Sequence, residues 1–217
     1  VSKSKNMKKI ILLITAVAFM ANYVVAQDGD SRSQFQVGIK AGANYANVYD
    51  SEGEDFTADG KLGFAGGVFV SIPIGNLFGI QPEILFSQKG FKAEGTLLGT
   101  NYGLTRTTSF IDVPLYLAVK PLPAVTILAG PQFSYLMKRK DEFNTAIGTA
   151  EQIEEFKNDN IRKNILGAAL GVDINVSQLV VGARAGWDLS TNNGDGTSQT
   201  PRYKNAWVQA TIGFRFL

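Results

Sequence analysis

The 217-residue sequence is 45% apolar and contains 23 Gly, a length and composition that fit one domain. It has no Cys and no His, which excludes disulfides, Cys-based metal sites and a Ser-His-Asp triad. The net charge is +2, and four of the basic residues are lysines in residues 1–26. The rest of the chain has 17 Lys and Arg against 19 Asp and Glu, which gives it a net charge of −2. It therefore gives no reason to expect nucleic-acid binding.

Residues 7–26 have the organisation of a secretory signal peptide. Two lysines precede an apolar stretch from Ile10 to Ala21, and small residues end the segment just before Gln27. A helical membrane anchor needs about 20 apolar residues, which this stretch does not reach. We predict a signal peptide over 1–26, including an upstream extension at 1–6, and then a periplasmic segment over 27–34.

Eight segments after the leader alternate between two kinds of side chain, as strands do when their two faces meet different surroundings. In each segment the continuous face is apolar, and the other face holds Gly and scattered charges. A soluble barrel has the reverse arrangement, whereas a membrane barrel is apolar outside and polar inside. The sequence predicts an all-β, eight-stranded antiparallel up-and-down transmembrane barrel over 35–217, with strands at 35–45, 62–74, 78–89, 111–119, 125–138, 166–174, 179–189 and 206–217.

The connections between these strands alternate in length. Three are short, at 75–76, 121–123 and 175–177, and four are long, at about 46–61, 90–108, 139–164 and 190–204. Outer-membrane barrels have short periplasmic turns and long extracellular loops. We therefore expect both chain termini in the periplasm and the long loops outside the cell.

Prolines interrupt several of the predicted strands. Because Pro has no backbone N–H, it cannot donate to a strand ladder. The alternation continues through each of them, so we expect β-bulges or local breaks in the ladder rather than strand ends at Pro73, Pro82, Pro114 and Pro131.

The last predicted strand should close the barrel. An open sheet edge in lipid would leave backbone groups unpaired, so we expect this strand to pair with the first one. Trp207 lies on its less apolar face, and Phe214 and Phe216 lie on its apolar face. Tyr135 and Trp187 fall on the outward face near strand ends, where an interfacial aromatic girdle is expected.

Four ionisable side chains are predicted at mid-height inside the barrel: Lys40, Glu83, Asp112 and Arg184. Each would be costly in a narrow interior unless it is paired. An eight-stranded barrel has room only for side chains or one small ligand, which favours an ion-pair plug. The alternative is a path for ions or small solutes.

Two long loops carry features of their own. Residues 149–158 suggest one or two helical turns that pack against the loop. An acidic cluster in the first long loop does not match the spacing of an EF-hand, so we expect a solvated loop and neither a metal nor a cofactor; its members are Asp50, Glu52, Glu54, Asp55 and Asp59.

Four fragments resemble a known family: V-G-I-K-A-G-A-N at 37–44, I-Q-P-E-I-L-F-S-Q-K-G at 80–90, I-D-V-P-L-Y-L-A-V-K at 111–120 and A-G-P-Q-F-S-Y-L at 129–136. They are similar to the porin-family, PorT-like outer-membrane β-barrel domain of Bacteroidetes-type bacteria. The resemblance covers 35–217 and includes the prolines. It implies a barrel without a catalytic residue set, and one branch of the family is tied to a secretion system.

Together these patterns predict a non-enzymatic outer-membrane barrel with a structural, adhesive or secretion-accessory role. Its expected partners are outer-membrane lipid, the barrel-assembly machinery and envelope or secretion-system proteins. Two alternatives remain: a narrow channel for small solutes, and a soluble small-ligand-binding barrel of the lipocalin type. An outward apolar face argues against the second alternative.

Overall fold

The structure is a computed structural model that describes residues 31–49, 57–97, 100–145, 148–154, 163–192 and 203–216. The predicted signal peptide and most of the acidic cluster lie outside these residues. Within the described ranges, no helix is long and apolar enough to cross a membrane.

Eight antiparallel strands form a closed barrel, and a ninth strand lies outside the ring. The ladder runs β4-β3-β2-β1-β9-β8-β7-β5, and β5 also pairs with β4, which closes the ring. Among the described strands, the short β6 pairs only with β5. The described elements are a 3-10 turn at Ser31–Ser33 and strands β1 (Gln36–Tyr49), β2 (Thr57–Ile74), β3 (Phe78–Leu97), β4 (Thr100–Leu122), β5 (Val125–Thr145), β6 (Gly148–Glu154), β7 (Asn164–Val176), β8 (Leu179–Asp188) and β9 (Lys204–Arg215).

The two faces of the barrel wall differ as the alternation predicts. On the outward face, Leu115, Leu117 and Ile212 are 51%, 55% and 66% exposed. On the inward face, Lys40 and Arg184 are each only 4% exposed. The prediction of an apolar exterior and a charged interior is confirmed.

The first and last barrel strands pair along most of their length. Their ladder runs from Gly38 opposite Arg215 to Tyr49 opposite Lys204. The backbones approach closely at Gly42, where an added Cβ would lie 1.9 Å from the carbonyl oxygen of Ala210. This seam closes the ring, with Trp207 buried inside the barrel and Phe214 and Phe216 exposed outside it.

The ladder is interrupted beside three of the four prolines. In the β3–β4 ladder, two residue pairs are missing between Pro82–Leu115 and Leu85–Asp112. In the β4–β5 ladder, two are missing between Pro114–Gln132 and Leu117–Ala129. The register is the same on both sides of each gap. The β2–β3 ladder has a similar gap between Phe69–Glu83 and Ile72–Ile80. These are the expected local breaks. The register shifts lie elsewhere, at Gly60/Ala65, Ser109/Phe110 and Val119/Leu122, and Pro73 stays in the ladder opposite Gly79.

Six strands are longer than the sequence pattern suggested, and β3, β4 and β5 extend farthest beyond their predicted bounds. The predicted loop at 90–108 is wrong, because β3 and β4 remain paired up to Leu97 and Thr100. The helical turns predicted at 149–158 are also wrong where they are described, because β6 is an extended strand. Beyond the apolar band water meets the outer surface, so the outward side chains become polar and the apolar alternation disappears. We call the rim that these strand extensions reach the long-loop end, and we call the opposite rim the short-turn end.

Candidate functional site: the charged interior

A network of four charged side chains crosses the middle of the barrel. Lys40 Nζ on β1 lies 2.6 Å from Glu83 Oε1 on β3. Arg184 on β8 donates to Asp173 on β7, with Nη2 2.9 Å from Oδ2, and its Nη2 also lies 3.5 Å from Glu83 Oε1. Two cations and two anions from four strands are therefore linked. We call these residues the central network.

Neighbouring polar and aromatic groups complete the central network. Gln81 Nε2 donates to Glu83 Oε1 at 2.9 Å and to Asp173 Oδ2 at 3.3 Å, so it links the two carboxylates. The Arg184 guanidinium carbon lies 5.4 Å from the centre of the Tyr116 ring, within cation–π range. These side chains are buried, so each charge depends on its partners rather than on water.

Glycines make space for the long cations. Lys40 is opposite Gly67 on β2 and Gly213 on β9, so neither of the directly paired residues has a side chain that competes for the same volume. Arg184 is opposite Gly171, where an added Cβ would lie 2.3 Å from Arg184 Cδ. The many inward glycines of the sequence thus allow charged side chains to lie across a narrow lumen.

Asp112 belongs to a separate group nearer the long-loop end. It pairs with Lys89, whose Nζ lies 3.2 Å from Asp112 and 3.3 Å from Ser134 Oγ. The same ammonium lies 4.9 Å from the Phe110 ring centre and 5.4 Å from that of Trp207. The structure therefore brings Lys40, Glu83 and Arg184 together and places Asp112 in a second ionic layer.

A third ionic layer lies at the long-loop end. Arg106 makes two hydrogen bonds to Asp141, from Nε to Oδ1 and from Nη2 to Oδ2, each at 2.8 Å. The guanidinium packs over Phe91, whose ring meets that of Tyr203 edge-on at 5.4 Å between centres. This layer covers a small apolar cluster, so the interior is filled well above the central network.

Sequence reasoning did not single out Lys89, Asp173, Arg106 or Asp141. Lys89 and Asp173 could have been found, because both lie on the inward side of their predicted strands. Arg106 and Asp141 fell in segments predicted as loops, which concealed their inward orientation.

The two predicted interfacial aromatics are on the outer surface. Tyr135 is 47% exposed and Trp187 is 37% exposed. Of the acidic cluster, only Asp59 is described. The described ranges contain no group of three or more His, Cys, Asp or Glu residues placed to hold a metal.

A closed antiparallel barrel with an apolar exterior and an ionic interior defines a transmembrane β-barrel. The family model described as the outer membrane protein beta-barrel domain matches residues 25–192. The chain belongs to this family, whose members are outer-membrane barrels.

Several solved outer-membrane proteins are similar to this chain at low sequence identity. Ail of Yersinia pestis is 13% identical, covers 84% of this chain and 99% of its own, and has a TM-score of 0.48. Neisserial surface protein A is 13% identical, the match covers 83% of this chain and 97% of that protein, and the TM-score is 0.48. OprG of Pseudomonas aeruginosa is 12% identical, with 85% and 97% coverage and a TM-score of 0.39. No curated protein sequence matches the chain.

Proposed function

We propose that this protein is a sealed, non-enzymatic outer-membrane barrel whose long-loop end serves as a structural or adhesive surface. The observation that carries the proposal is the central network, in which charges from four strands meet across the lumen. Eight strands enclose room for little more than side chains. The acidic side chains of the network hold cations in place, so they are not free to act as a general acid or base.

We expect the purified barrel to give no steady current in a planar lipid bilayer. Three ionic layers fill the interior, and the Glu83 and Arg184 side chains of the central one are 0% and 1% exposed. Single-channel recording at ordinary salt concentrations measures this directly. Steady open currents whose size or ion selectivity changes on Arg184→Ala would contradict the sealed lumen.

A narrow channel is the second candidate, and one observation favours it. Glu83 Oε2 and Arg184 Nε are buried without a hydrogen-bond partner in the described part of the chain. Polar atoms of this kind are satisfied by water when space allows, so they would suit a hydrated path. A soluble ligand-binding barrel has no such support, because the exterior is apolar and the interior ionic.

The proposed orientation has the long-loop end outside the cell and the short-turn end in the periplasm. The support is the general pattern of bacterial barrels, in which turns at the periplasmic rim are short. Here the strands at one rim turn within a few residues of the apolar band, after Ile74, Leu122 and Val176, whereas at the other rim β3, β4 and β5 continue beyond the apolar band before they turn.

Single-cysteine labelling should reveal this orientation, because the native chain has no Cys. An Asn144→Cys variant, exposed at the long-loop end, should react with a membrane-impermeant maleimide on intact cells. The matched Asn76→Cys variant, in the turn between β2 and β3, should react only after the cells are opened. The opposite labelling pattern would reverse the proposed orientation.

The motifs at 37–44, 80–90, 111–120 and 129–136 also support a PorT-like assignment. We extend the proposal to an accessory role in secretion, with envelope or secretion-system proteins bound at the long-loop end or periplasmic rim. Insertion would require the barrel-assembly machinery, as it does for outer-membrane barrels generally. Crosslinking in intact envelopes followed by mass spectrometry tests this extension, and the absence of any envelope-protein crosslink would contradict it.

A further inference from the structure

A short segment before β1 lies at the short-turn end of the barrel. It begins with the 3-10 turn Ser31–Ser33 and leads into β1, which starts at Gln36. In the ring, β2 and β3 separate β1 from β4, so β1 and β4 are on nearly opposite sides of the barrel. We call residues 31–35 the N-terminal strap.

Two hydrogen bonds connect the N-terminal strap to the end of β4. Lys120 Nζ donates to the carbonyl oxygen of Arg32 at 3.1 Å, and Arg32 Nη1 donates to the carbonyl oxygen of Pro121 at 3.4 Å. Lys120 is on the inward face of β4, because it continues the buried alternation of Tyr116 and Ala118. The strap carbonyl that it reaches therefore lies over the lumen, and the strap crosses the mouth from β1 toward β4.

The low exposure of Lys120 indicates that this end of the lumen is covered. Lys120 is only 4% exposed, although it lies two residues before the end of β4. Leu122, the last residue of that strand, is 58% exposed, so the rim alone does not bury side chains at this height. Lysine is almost never buried to this extent unless its ammonium has partners, and the Arg32 carbonyl supplies one from the strap.

A second inward cation holds the other part of the mouth. Arg215 on β9 is 8% exposed, and its Nη1 donates to Gln36 Oε1 at 2.9 Å. Its Nη2 donates to the carbonyl oxygen of Ser177, in the turn between β7 and β8. Arg215 thus joins that turn to the first residue of β1, which directly follows the strap. Lys120 and Arg215 therefore hold main chain or turn residues on two sides of the same opening.

We propose that the N-terminal strap is a lid that closes the short-turn mouth of the barrel, with Lys120 as its anchor. The first residues of a domain are ordered only when something ties them down, and here ties come from the end of β4. The strap belongs to none of the described ladders, so it opens at a lower cost than the barrel wall. Closure of this mouth therefore depends on the contacts of Arg32 and Lys120.

This lid is a second barrier, distinct from the central network. Ser71 lies between the two, because it is opposite Gln36, whereas Gly67, farther along the inward face of β2, is opposite Lys40. Ser71 is 2% exposed, and within the described ranges its Oγ is buried without a hydrogen-bond partner. Buried polar atoms of this kind are commonly satisfied by water. The lid and the central network therefore enclose a small polar compartment.

Ser71→Cys introduces a thiol beneath the lid, in a chain that otherwise has no Cys. The purified barrel in detergent micelles is treated with a small charged methanethiosulfonate, and mass spectrometry follows formation of the adduct. We expect slow labelling while the strap is intact. Adding Lys120→Met should raise the labelling rate about tenfold, because a hydrogen bond from a charged group contributes about that factor to closure. Adding Arg32→Ala instead should raise it by a smaller factor, because its hydrogen bond to Pro121 is exposed.

Matched controls make the result specific to the lid. Lys138→Met removes an outward lysine at the long-loop end and should leave the labelling rate of Ser71→Cys unchanged. Ser87→Cys places a thiol beyond the central network, at a position with 0% exposure, and should react slowly in every background. Heat-modifiable gel mobility shows that each variant is a folded barrel. Arg32 is partly exposed and precedes the barrel strands, so Arg32→Ala tests the lid even if Lys120→Met does not assemble.

A failure of the lid differs from a failure of the sealed lumen. Equal labelling of Ser71→Cys with and without Lys120→Met and Arg32→Ala would overturn the lid, as would rapid labelling in the otherwise native chain. Rapid labelling of Ser87→Cys in the otherwise native chain would instead overturn the sealed lumen of the proposed function. In that case the ratio of labelling rates at position 71, with and without the strap contacts, still decides whether the lid exists.

Discussion

Replacing Glu83 with Ala should lower the free energy of unfolding by about 3–5 kcal/mol, the usual cost of removing one partner from a buried ion pair. Glu83 Oε1 lies 2.6 Å from Lys40 Nζ and 3.5 Å from Arg184 Nη2. Without the carboxylate, Lys40 loses its ion-pair partner while its side chain is only 2% exposed. Urea unfolding of the barrel in lipid vesicles, followed by tryptophan fluorescence and gel mobility, measures the change.

Two further variants make this result specific to the central network. Glu142→Ala removes an acid from the partly exposed pair with Lys140 and should give no measurable change. Lys40→Met combined with Glu83→Gln removes both buried charges and should recover a large part of the loss, because no unpaired cation remains on β1. If Glu83→Ala were as harmless as Glu142→Ala, the central network would not be a buried, paired structure.

Placing an arginine in the middle of the apolar band should lower the free energy of unfolding by about 2–4 kcal/mol, the cost found at the bilayer midplane. Leu115 is 51% exposed and lies near the centre of the outward face of β4. Its replacement, Leu115→Arg, would leave a guanidinium in hydrocarbon. The same unfolding measurement in vesicles gives the effect.

Ser109→Arg is the matched control on the same strand and face. Ser109 lies two residues beyond Ile111, which ends the apolar band on β4, and near the interface a charge costs only about 0–1 kcal/mol. Substitution at the two positions should therefore differ clearly. Equal effects at both would mean that the outward face of β4 does not meet the hydrocarbon core.

Within the apolar band, the period-two pattern was sufficient to predict which side chains face outward, and it also predicted that the ring closes. Every inward position predicted between Gly79 and Lys89 on β3 is buried, because a strand fixes orientation residue by residue. The closing pair β1–β9 also followed from the sequence, since an unpaired edge is too costly in lipid.

The composition of the central network was harder to predict, because it depends on the register between strands. Lys40 is opposite Gly67, and Gly67 is opposite Leu85, so Glu83 lies on a diagonal from Lys40. Alternation gives the face of each residue but not its height relative to a distant strand. The sequence analysis placed Asp112 in the network and did not single out Asp173, and only the register selects Asp173 as the partner of Arg184.

The length of β3, β4 and β5 could not be read from hydropathy. Once a hairpin leaves the apolar band, its outer face is polar and its inner face mixes Arg106 and Asp141 with Phe91. The two faces then no longer differ clearly in hydropathy, so the alternation that marks a strand is lost. What holds these extensions together is long-range pairing and a small apolar cluster, both of which depend on the fold.

The pairing of β1 with β9 also sets the order of events during biogenesis. A nascent chain that has left the ribosome only as far as β8 would have two unsatisfied edges, one on β1 and one on β8. No shorter subset of strands can complete the ring, so productive insertion has to follow translation of β9. Until then the apolar segments lack their lipid contacts, and delay at this stage favours aggregation over membrane entry.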